Sequence, residues 1–405
     1  MNEFNNDICV IGGAGHIGLP LGVAFANAGM RVVLLDINEE VLNKISSGIF
    51  PFKEDGGDEN LQKALQSNNL KTSIDPSVIA DSEIIITVIG TPIDEYLNPN
   101  FLGIIETVNN YIDYFRDGQM FVLRSTVYPS TSQRIQKYFK EQGKDIGVAY
   151  CPERIVEGKA FEELKNLPQI ISAFDEKTHD RAAKLFQHLT SKSIIPVKPI
   201  EAELSKLFCN TWRYISFAVA NQFFMIASDY NLDYNNIYQA MTEDYDRMKD
   251  LPKPGFAAGP CLLKDTMQLA AFNNNNFFLG HSAMLVNEGL PSFIMKKIIE
   301  KYPNIDSKVI GILGMAFKAE NDDSRDSLSF KMCKAAQTKA KDVLCHDPYI
   351  DRDDFFEFEH VLTNSDIIVL STPHKIYEEI NHDEYKGKIF VDVWNKWGRG
   401  FIFES

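Results

Sequence analysis

The segment PGFAAGPCLLKD, residues 254–265, sets Cys261 just after a glycine-containing loop and at the start of a predicted helix. The N–H groups of a helix N-terminus favour negative charge, so a thiol there shifts toward the nucleophilic thiolate. Taken alone, a cysteine in an apolar-flanked loop is more often a packing residue. A second motif changes its meaning. Gly13-Ala14-Gly15-His16-Ile17-Gly18 is a GxGxxG between a short apolar run and an amphipathic stretch, and Asp36 closes the next apolar run. The glycines allow the turn, the approach of a pyrophosphate to the backbone and close helix–strand packing, while a carboxylate at Asp36 accepts from ribose hydroxyls and repels a 2′-phosphate. The cofactor this implies is NAD rather than NADP. A nucleophilic cysteine beside an NAD site suggests capture of an aldehyde as a thiohemiacetal, loss of hydride to give a thioester, then hydrolysis.

These residues need a scaffold. Short apolar runs at 8–11, 31–36, 83–89, 120–123 and 146–150 are separated by amphipathic segments, the rhythm of βαβ units and a parallel sheet. Further strands are expected at 169–173 and 193–196, closing a first domain near residue 198. From 200 to about 230 one helical run contains no internal proline or glycine and is apolar over much of its circumference, so it must be buried by both domains or by a second subunit. The helical middle, broken by a loop at 250–260, continues to about 301. Strands return at 309–313, 343–346, 367–370 and 389–393, and NSDIIVLSTPH in this part echoes DSEIIITVIGTP in the first. The expected fold is α/β: two Rossmann-like, doubly wound parallel-sheet domains, 1–198 and 303–405, joined by a long central helix within a helical domain, 199–302.

Composition narrows the partners. A net charge of −15 over 405 residues argues against nucleic-acid or anionic membrane surfaces, which need clustered Lys and Arg. No apolar run approaches the roughly 20 residues of a membrane span. The polar start, 1–7, lacks a signal-peptide pattern, and the six cysteines are scattered without metal-like spacing, so a cytoplasmic chain with reduced thiols and no metal is expected.

With these motifs in hand, the sequence resembles the UDP-glucose/GDP-mannose dehydrogenase family over almost its whole length. The motifs run in the family's order: the GxGxxG, Thr91-Pro92, RSTVYPST at 124–131, CPERIVEG at 151–158, ELSKLFCN at 203–210, GFAAGPCLLKD, and GMAFKAENDDSRDS at 314–327. The resemblance implies NAD-dependent, two-step oxidation of the C6 hydroxymethyl of a nucleotide sugar, with Cys261 as nucleophile. Lys206 and Asn210, at i and i+4 on one helix face, would hold the oxyanion that develops at C6. Asp265 would orient water or tune Lys206, with Thr126 and Glu153 as polar and acid/base partners and Lys264 a weaker electrostatic aid. Gly13, Gly15, His16, Ile17, Gly18, Asp36, Thr91, Pro92, Thr126 and Arg325 would contact the cofactor. Glu153, Arg154, Lys206, Asn210, Arg247, Gly255, Phe256 and Lys318 would contact the substrate, Arg247 from a region that sometimes reaches across a dimer. A homodimer or larger homo-oligomer through the central helix is implied.

The match departs at the cysteine loop, where Ala257-Ala258 replaces the usual paired glycines and Pro260 precedes the cysteine, and at Cys151, where serine is common. Neither removes a catalytic group, but the loop wraps the sugar, so substrate preference is not carried over. Two other readings stay open. A one-step β-hydroxyacid dehydrogenase also pairs a Rossmann domain with Lys and Asn one helical turn apart, but needs neither Cys261 nor a second Rossmann-like domain. A catalytically silent dinucleotide-binding scaffold would have no reason to keep Cys261, Lys206, Asn210 and Asp265 together.

Overall fold

A computed structural model describes residues 4–91, 102–257 and 259–405. The chain divides into two compact units, Met1–Cys209 and Asn210–Ser405. The first is built on eight strands: β1 (Asn6–Ile11), β2 (Val32–Leu35), β3 (Leu70–Ser73), β4 (Ser82–Thr87), β5 (Met120–Leu123), β6 (Gly147–Tyr150), β7 (Gln169–Ala173) and β8 (Ile194–Pro196). Their order is β3-β2-β1-β4-β5-β6-β7-β8. Its first six strands follow the doubly wound dinucleotide-binding order. Alternation along β1 shows why the sheet must be covered twice: Ile8 and Val10 enter one apolar cluster, Cys9 and Ile11 the other.

The second unit carries β9 (Val309–Leu313), β10 (Asp342–His346), β11 (Ile367–Leu370), β12 (Ile389–Val391) and β13 (Ile402–Glu404), in the order β10-β9-β11-β12-β13. The expected pair of Rossmann-like sheets is therefore present, with two differences from all-parallel strands. β7 runs antiparallel to β6, and β13 antiparallel to β12. Both belong to the outer part of a sheet; the β6–β7 connection, 151–168, carries the helix Ala160–Asn166.

The spine helix Pro199–Asp229 is 31 residues long. At 1.5 Å per residue it spans roughly 46 Å. After it come the helices Tyr234–Thr242, Leu262–Phe272 and Phe278–Lys301. The segment expected as a helical domain, 199–302, is shared between the two compact units: from Asn210 onward its helices belong with the second sheet. The physical link is a shared core in which Phe224, Leu290, Ile294 and Ile298 pack with Ile310, Ile312 and Met332.

Candidate active site

In the first unit the glycine-rich turn lies beyond the C-terminal end of β1. Gly13 and Gly18 are required by packing: a Cβ at Gly13 would lie 2.7 Å from that of Leu34, and one at Gly18 2.1 Å from the Gly12 carbonyl oxygen. Gly15 differs, being exposed, with a Cβ there meeting only the Gly12 oxygen at 3.6 Å. The backbone is thus open to a ligand where a pyrophosphate would approach, ahead of the helix Gly18–Asn27, whose N-cap is Ile17. Asp36 follows β2 directly; its Oδ2 accepts from the Ala14 N–H at 3.0 Å and its Oδ1 from the Asn38 N–H at 3.1 Å. A carboxylate hydrogen-bonded to the turn itself fits NAD. The His16 ring lies 4.0 Å from that of Phe52, which anchors the outer side of the turn.

Two neighbouring strand ends complete this half. Thr91 Oγ1 donates to the Thr126 carbonyl at 2.6 Å and Ser125 Oγ to the Ile89 carbonyl at 2.7 Å, joining the segments after β4 and β5 on the sheet edge where open α/β folds bind ligands. Pro92 lies outside the described residues, as does Ala258 of the cysteine loop. Glu153 is buried and ion-paired with the fully buried Arg124, and its Oε1 accepts from the N–H groups of Arg154 and Ile155. Burial pushes its pKa up, but the Arg124 charge and these hydrogen bonds outweigh that and hold it below the ordinary carboxylate value. A lowered pKa favours the ionised form, in which Glu153 accepts hydrogen bonds. The Arg154 guanidinium donates to the Pro168 carbonyl, which ties it to the domain.

Lys206 stands half-buried on the spine helix. Three residues earlier, Glu203 is fully buried and accepts from the Ser130 N–H at 2.6 Å and the Ser132 N–H at 2.8 Å. It thereby caps the helix Thr131–Glu141 and fixes the RSTVYPST segment to the turn that bears Lys206. Sequence reasoning passed over Glu203, although a carboxylate in an otherwise apolar helical stretch was the available signal.

In the second unit Asn210, Asp265 and Lys264 come together. Asn210 Nδ2 donates to Asp265 Oδ2 at 2.6 Å, and Lys264 Nζ lies 3.4 Å from Asp265 Oδ1. Asp265 is fully buried, so Lys264, expected to be only a weak aid, is the nearby ammonium that balances its charge. Cys261 is exposed, lies outside any disulfide and occupies the N-cap of the helix Leu262–Phe272. Two glycines let its loop lie flat on aromatic rings: a Cβ at Gly255 would lie 2.2 Å from Trp394, and one at Gly259 2.5 Å from Phe317. Phe256 is 6% exposed and packs in the core, so what it contributes to a substrate is the placement of the loop.

Arg247 is exposed on the short helical turn Asp246–Met248. Lys318 lies half-buried with its ammonium 5.6 Å from the Phe317 ring centroid. Arg325 is exposed and its guanidinium grips both oxygens of Asp323, at 2.6 to 3.0 Å. The turn ahead of it is held by Asp347, whose Oδ2 accepts from the Met315 and Ala316 N–H groups at 2.6 and 2.9 Å. Asp36 makes the same kind of contact in the first unit. Among the described residues no cluster of three or more His, Cys, Asp or Glu could hold a metal, and no helix is long and apolar enough to cross a membrane.

A glycine-rich turn bonded to Asp36, on a doubly wound sheet and followed in the chain by a second sheet of the same kind, defines an NAD-dependent oxidoreductase. Comparison with known proteins narrows the class. Three domain descriptions of one family match consecutive parts of the chain: the NAD binding domain at residues 6–190, the central domain at 200–288 and the UDP binding domain at 311–399. The chain belongs to the UDP-glucose/GDP-mannose dehydrogenase family and is an NAD-dependent nucleotide-sugar 6-dehydrogenase, which sets aside the β-hydroxyacid dehydrogenase and scaffold readings. It is 29% identical to the UDP-N-acetyl-D-mannosamine dehydrogenase of Pyrococcus horikoshii, over 97% of this chain and 95% of that one. A solved structure of the P. horikoshii UDP-D-ManNAc dehydrogenase superposes with a TM-score of 0.89 over 96% of both chains. A UDP-glucose dehydrogenase from Pyrobaculum islandicum shares the fold, with a TM-score of 0.86 at 24% identity over 97% and 95%.

Proposed function

We propose that the substrate is UDP-N-acetyl-D-mannosamine, oxidised at C6 to the uronate in two steps through Cys261. The relatives named for that sugar in P. horikoshii and Methanococcus vannielii are each 29% identical over nearly the whole chain, which supports the choice. The observation that carries the mechanism is an exposed cysteine at a helix N-cap, one turn before a buried carboxylate clasped by an amide.

NAD would supply the hydride acceptor for both oxidations; Gly15 and Asp36 would hold it, with Thr91 and Thr126 at the neighbouring strand ends. A water held by Lys206 takes the C6 hydroxyl proton, and the Lys206 ammonium, with Asn210, steadies the oxyanion. The Cys261 thiolate adds to the aldehyde carbon, and the oxyanion takes a proton to give the thiohemiacetal. Loss of the second hydride and of that proton leaves a thioester. Water then cleaves the C–S bond, guided by Asp265 and by ionised Glu153 as a hydrogen-bond acceptor, and returns the thiol. Holding the aldehyde covalently prevents its escape between steps. Arg247, Arg154 and Lys318 serve the sugar and diphosphate, and Arg325 the cofactor.

The test is NADH formation from UDP-N-acetylmannosamine, UDP-N-acetylglucosamine, UDP-N-acetylgalactosamine, UDP-glucose and GDP-mannose. Two NADH per UDP-N-acetylmannosamine, and a Cys261→Ser variant that stalls after the first, support the reading. A preference for another sugar refutes the substrate, and two turnovers by the variant refute the mechanism.

The functional unit we propose is a homodimer through the spine helix. Trp212 and Tyr230 are 70% and 75% exposed, and Val219, Phe223 and Ile226 fall on the same helical stripe. A contiguous apolar stripe of this kind marks an association surface. Trp212→Glu with Phe223→Glu should give a monomer in light scattering; a wild-type monomer would refute the dimer. The reaction belongs in the cytoplasm, whose reducing conditions keep Cys261 a thiol, and cell fractionation checks this.

A further inference from the structure

We infer that Asn221 is a positioning residue for Cys261, holding the start of the cysteine loop so that the thiol is presented to the aldehyde. The inference rests on the reading of Cys261 as nucleophile. Asn221 lies on the spine helix and is fully buried. Its Oδ1 accepts from the Gly255 N–H at 2.8 Å, and its Nδ2 donates to the Gly255 carbonyl at 3.0 Å. One side chain thus satisfies both backbone groups of one loop residue, as a neighbouring strand would. The same Nδ2 donates to Asn287 Oδ1 at 2.9 Å, and Asn287, also fully buried, donates to the Tyr214 carbonyl at 3.0 Å. Each amide faces partners of opposite type, so the chain of bonds has only one orientation.

A buried amide pair costs stability unless every bond is made, so this arrangement locks one geometry rather than adding adhesion. What it locks is the near end of a short loop. Gly255 lies against Trp394, whose Nε1 donates to the Ser371 carbonyl at 3.0 Å and whose N–H donates to Asp392 Oδ1 at 3.0 Å. Gly259 lies against Phe317 and its N–H reaches the Asp326 carbonyl at 3.4 Å. Pro260 then limits the last step before Cys261. No group of Asn221 does chemistry here. Its effect is where the sulfur sits, and a misplacement of about 1 Å at a reacting atom costs on the order of 10²-fold in rate.

The experiment compares wild type with Asn221→Ala by hydrogen exchange at the Gly255 amide, by iodoacetamide labelling of Cys261, and by NADH formed per sugar with an amine trap for free aldehyde. In the variant, Gly255 should exchange about 10-fold faster, as expected for a lost hydrogen bond. The first oxidation should stay within about threefold, while capture at Cys261 slows on the order of 10²-fold, so that NADH per sugar falls from two toward one and aldehyde appears in the trap. Faster exchange with two NADH per sugar and unchanged Cys261 labelling would overturn the proposal and leave Asn221 a packing residue. If Asn221→Ala does not fold, the near-isosteric Asn221→Leu fills the same space and also removes both bonds to Gly255, and the same two outcomes decide. Failure of the underlying reading looks different: Cys261→Ser would itself form two NADH per sugar, while the Gly255 exchange would still report the clamp.

Discussion

Asn210 donates to Asp265 over 2.6 Å, joining the spine helix to the helix that begins at Cys261. The carboxylate is fully buried, and Lys264 lies on its other side at 3.4 Å. Removing the cation while the anion stays buried leaves an uncompensated charge. Lys264→Met should therefore lower unfolding stability by about 3 kcal/mol, and Asp265→Asn in the same background should recover most of it. Urea unfolding of the two single variants and the double variant measures this; additive losses would show that the pair is not coupled.

Cysteine reactivity should separate four of the six thiols. Burial pushes the Cys151 thiol up to about 12 and the Cys9 thiol higher still, so neither reacts near neutrality. Cys209 is exposed like Cys261 but lies in mid-helix, without free N–H groups beneath it. Substoichiometric iodoacetamide at pH 7.5 should label Cys261 at least about 10-fold faster than Cys209. Peptide mass spectrometry reads the ratio, and equal labelling would remove the argument from the helix N-terminus.

Much of this arrangement was legible in the sequence because it rests on local signals. The turn from Gly13 to Gly18 and the acidic end of the second strand need only a strand–helix junction, and both stand where their spacing put them. β3 and β13 were not read: each has three or four residues and lies at a sheet edge, leaving too short a run for alternation to register. The partners of Glu153, Glu203 and Asn221 were hidden for another reason. Arg124, Ser130 and Gly255 lie 29, 73 and 34 residues away, and hydrogen bonds across such distances leave no periodic trace. The merging of the helical segment with the second sheet was likewise invisible, because it depends on which faces of the helices meet.

Asp36 is the residue we propose sets cofactor choice. Its carboxylate already accepts from the Ala14 N–H, which keeps it beside the turn, and a 2′-phosphate would meet that charge. Asp36→Ser should raise the KM for NAD about 10-fold and make NADP usable, since the acceptor for the ribose hydroxyls and the repulsion vanish together. Initial rates with both cofactors decide; unchanged discrimination would move the determinant elsewhere.

Two buried carboxylates give opposite pH dependences. Arg124 and the backbone bonds hold Glu153 below its unfolded pKa, so its stabilisation is present above that value and is lost as pH falls through the folded one. Burial raises Glu203 despite its bonds to Ser132 and Ser130, so its contribution is full below the unfolded pKa and declines as pH rises through the raised value. Relative to wild type, Glu203→Gln should be most destabilised near pH 4.5 and less so at pH 7.5. Arg124→Met, which frees Glu153 of its partner, should show its largest loss at pH 7.5. Urea midpoints at the two pH values test both, and parallel shifts would contradict the assignment.

The loop that carries Lys318 is set by a histidine no motif announced. His374 is fully buried; its Nε2 lies 3.1 Å from Asp347 Oδ2, and its Nδ1 accepts from the Glu320 N–H at 3.0 Å. Because Asp347 also gathers the Met315 and Ala316 N–H groups, one imidazole, with Nε2 on the Asp347 carboxylate and Nδ1 on the Glu320 N–H, connects both ends of the 315–320 turn. Glu320 adopts a left-handed φ of +56°, a strained setting for a residue with a side chain, so the bond to His374 holds the turn in a shape it would not keep alone. His374→Phe should cost about 2 kcal/mol in stability by removing the acceptor of the Glu320 N–H and one partner of the buried Asp347 carboxylate. If the turn presents Lys318 to the nucleotide sugar, the same change should raise the sugar's KM about 10-fold while kcat and the KM for NAD move little. A loss of stability with all three kinetic constants unchanged would confine His374 to holding the fold.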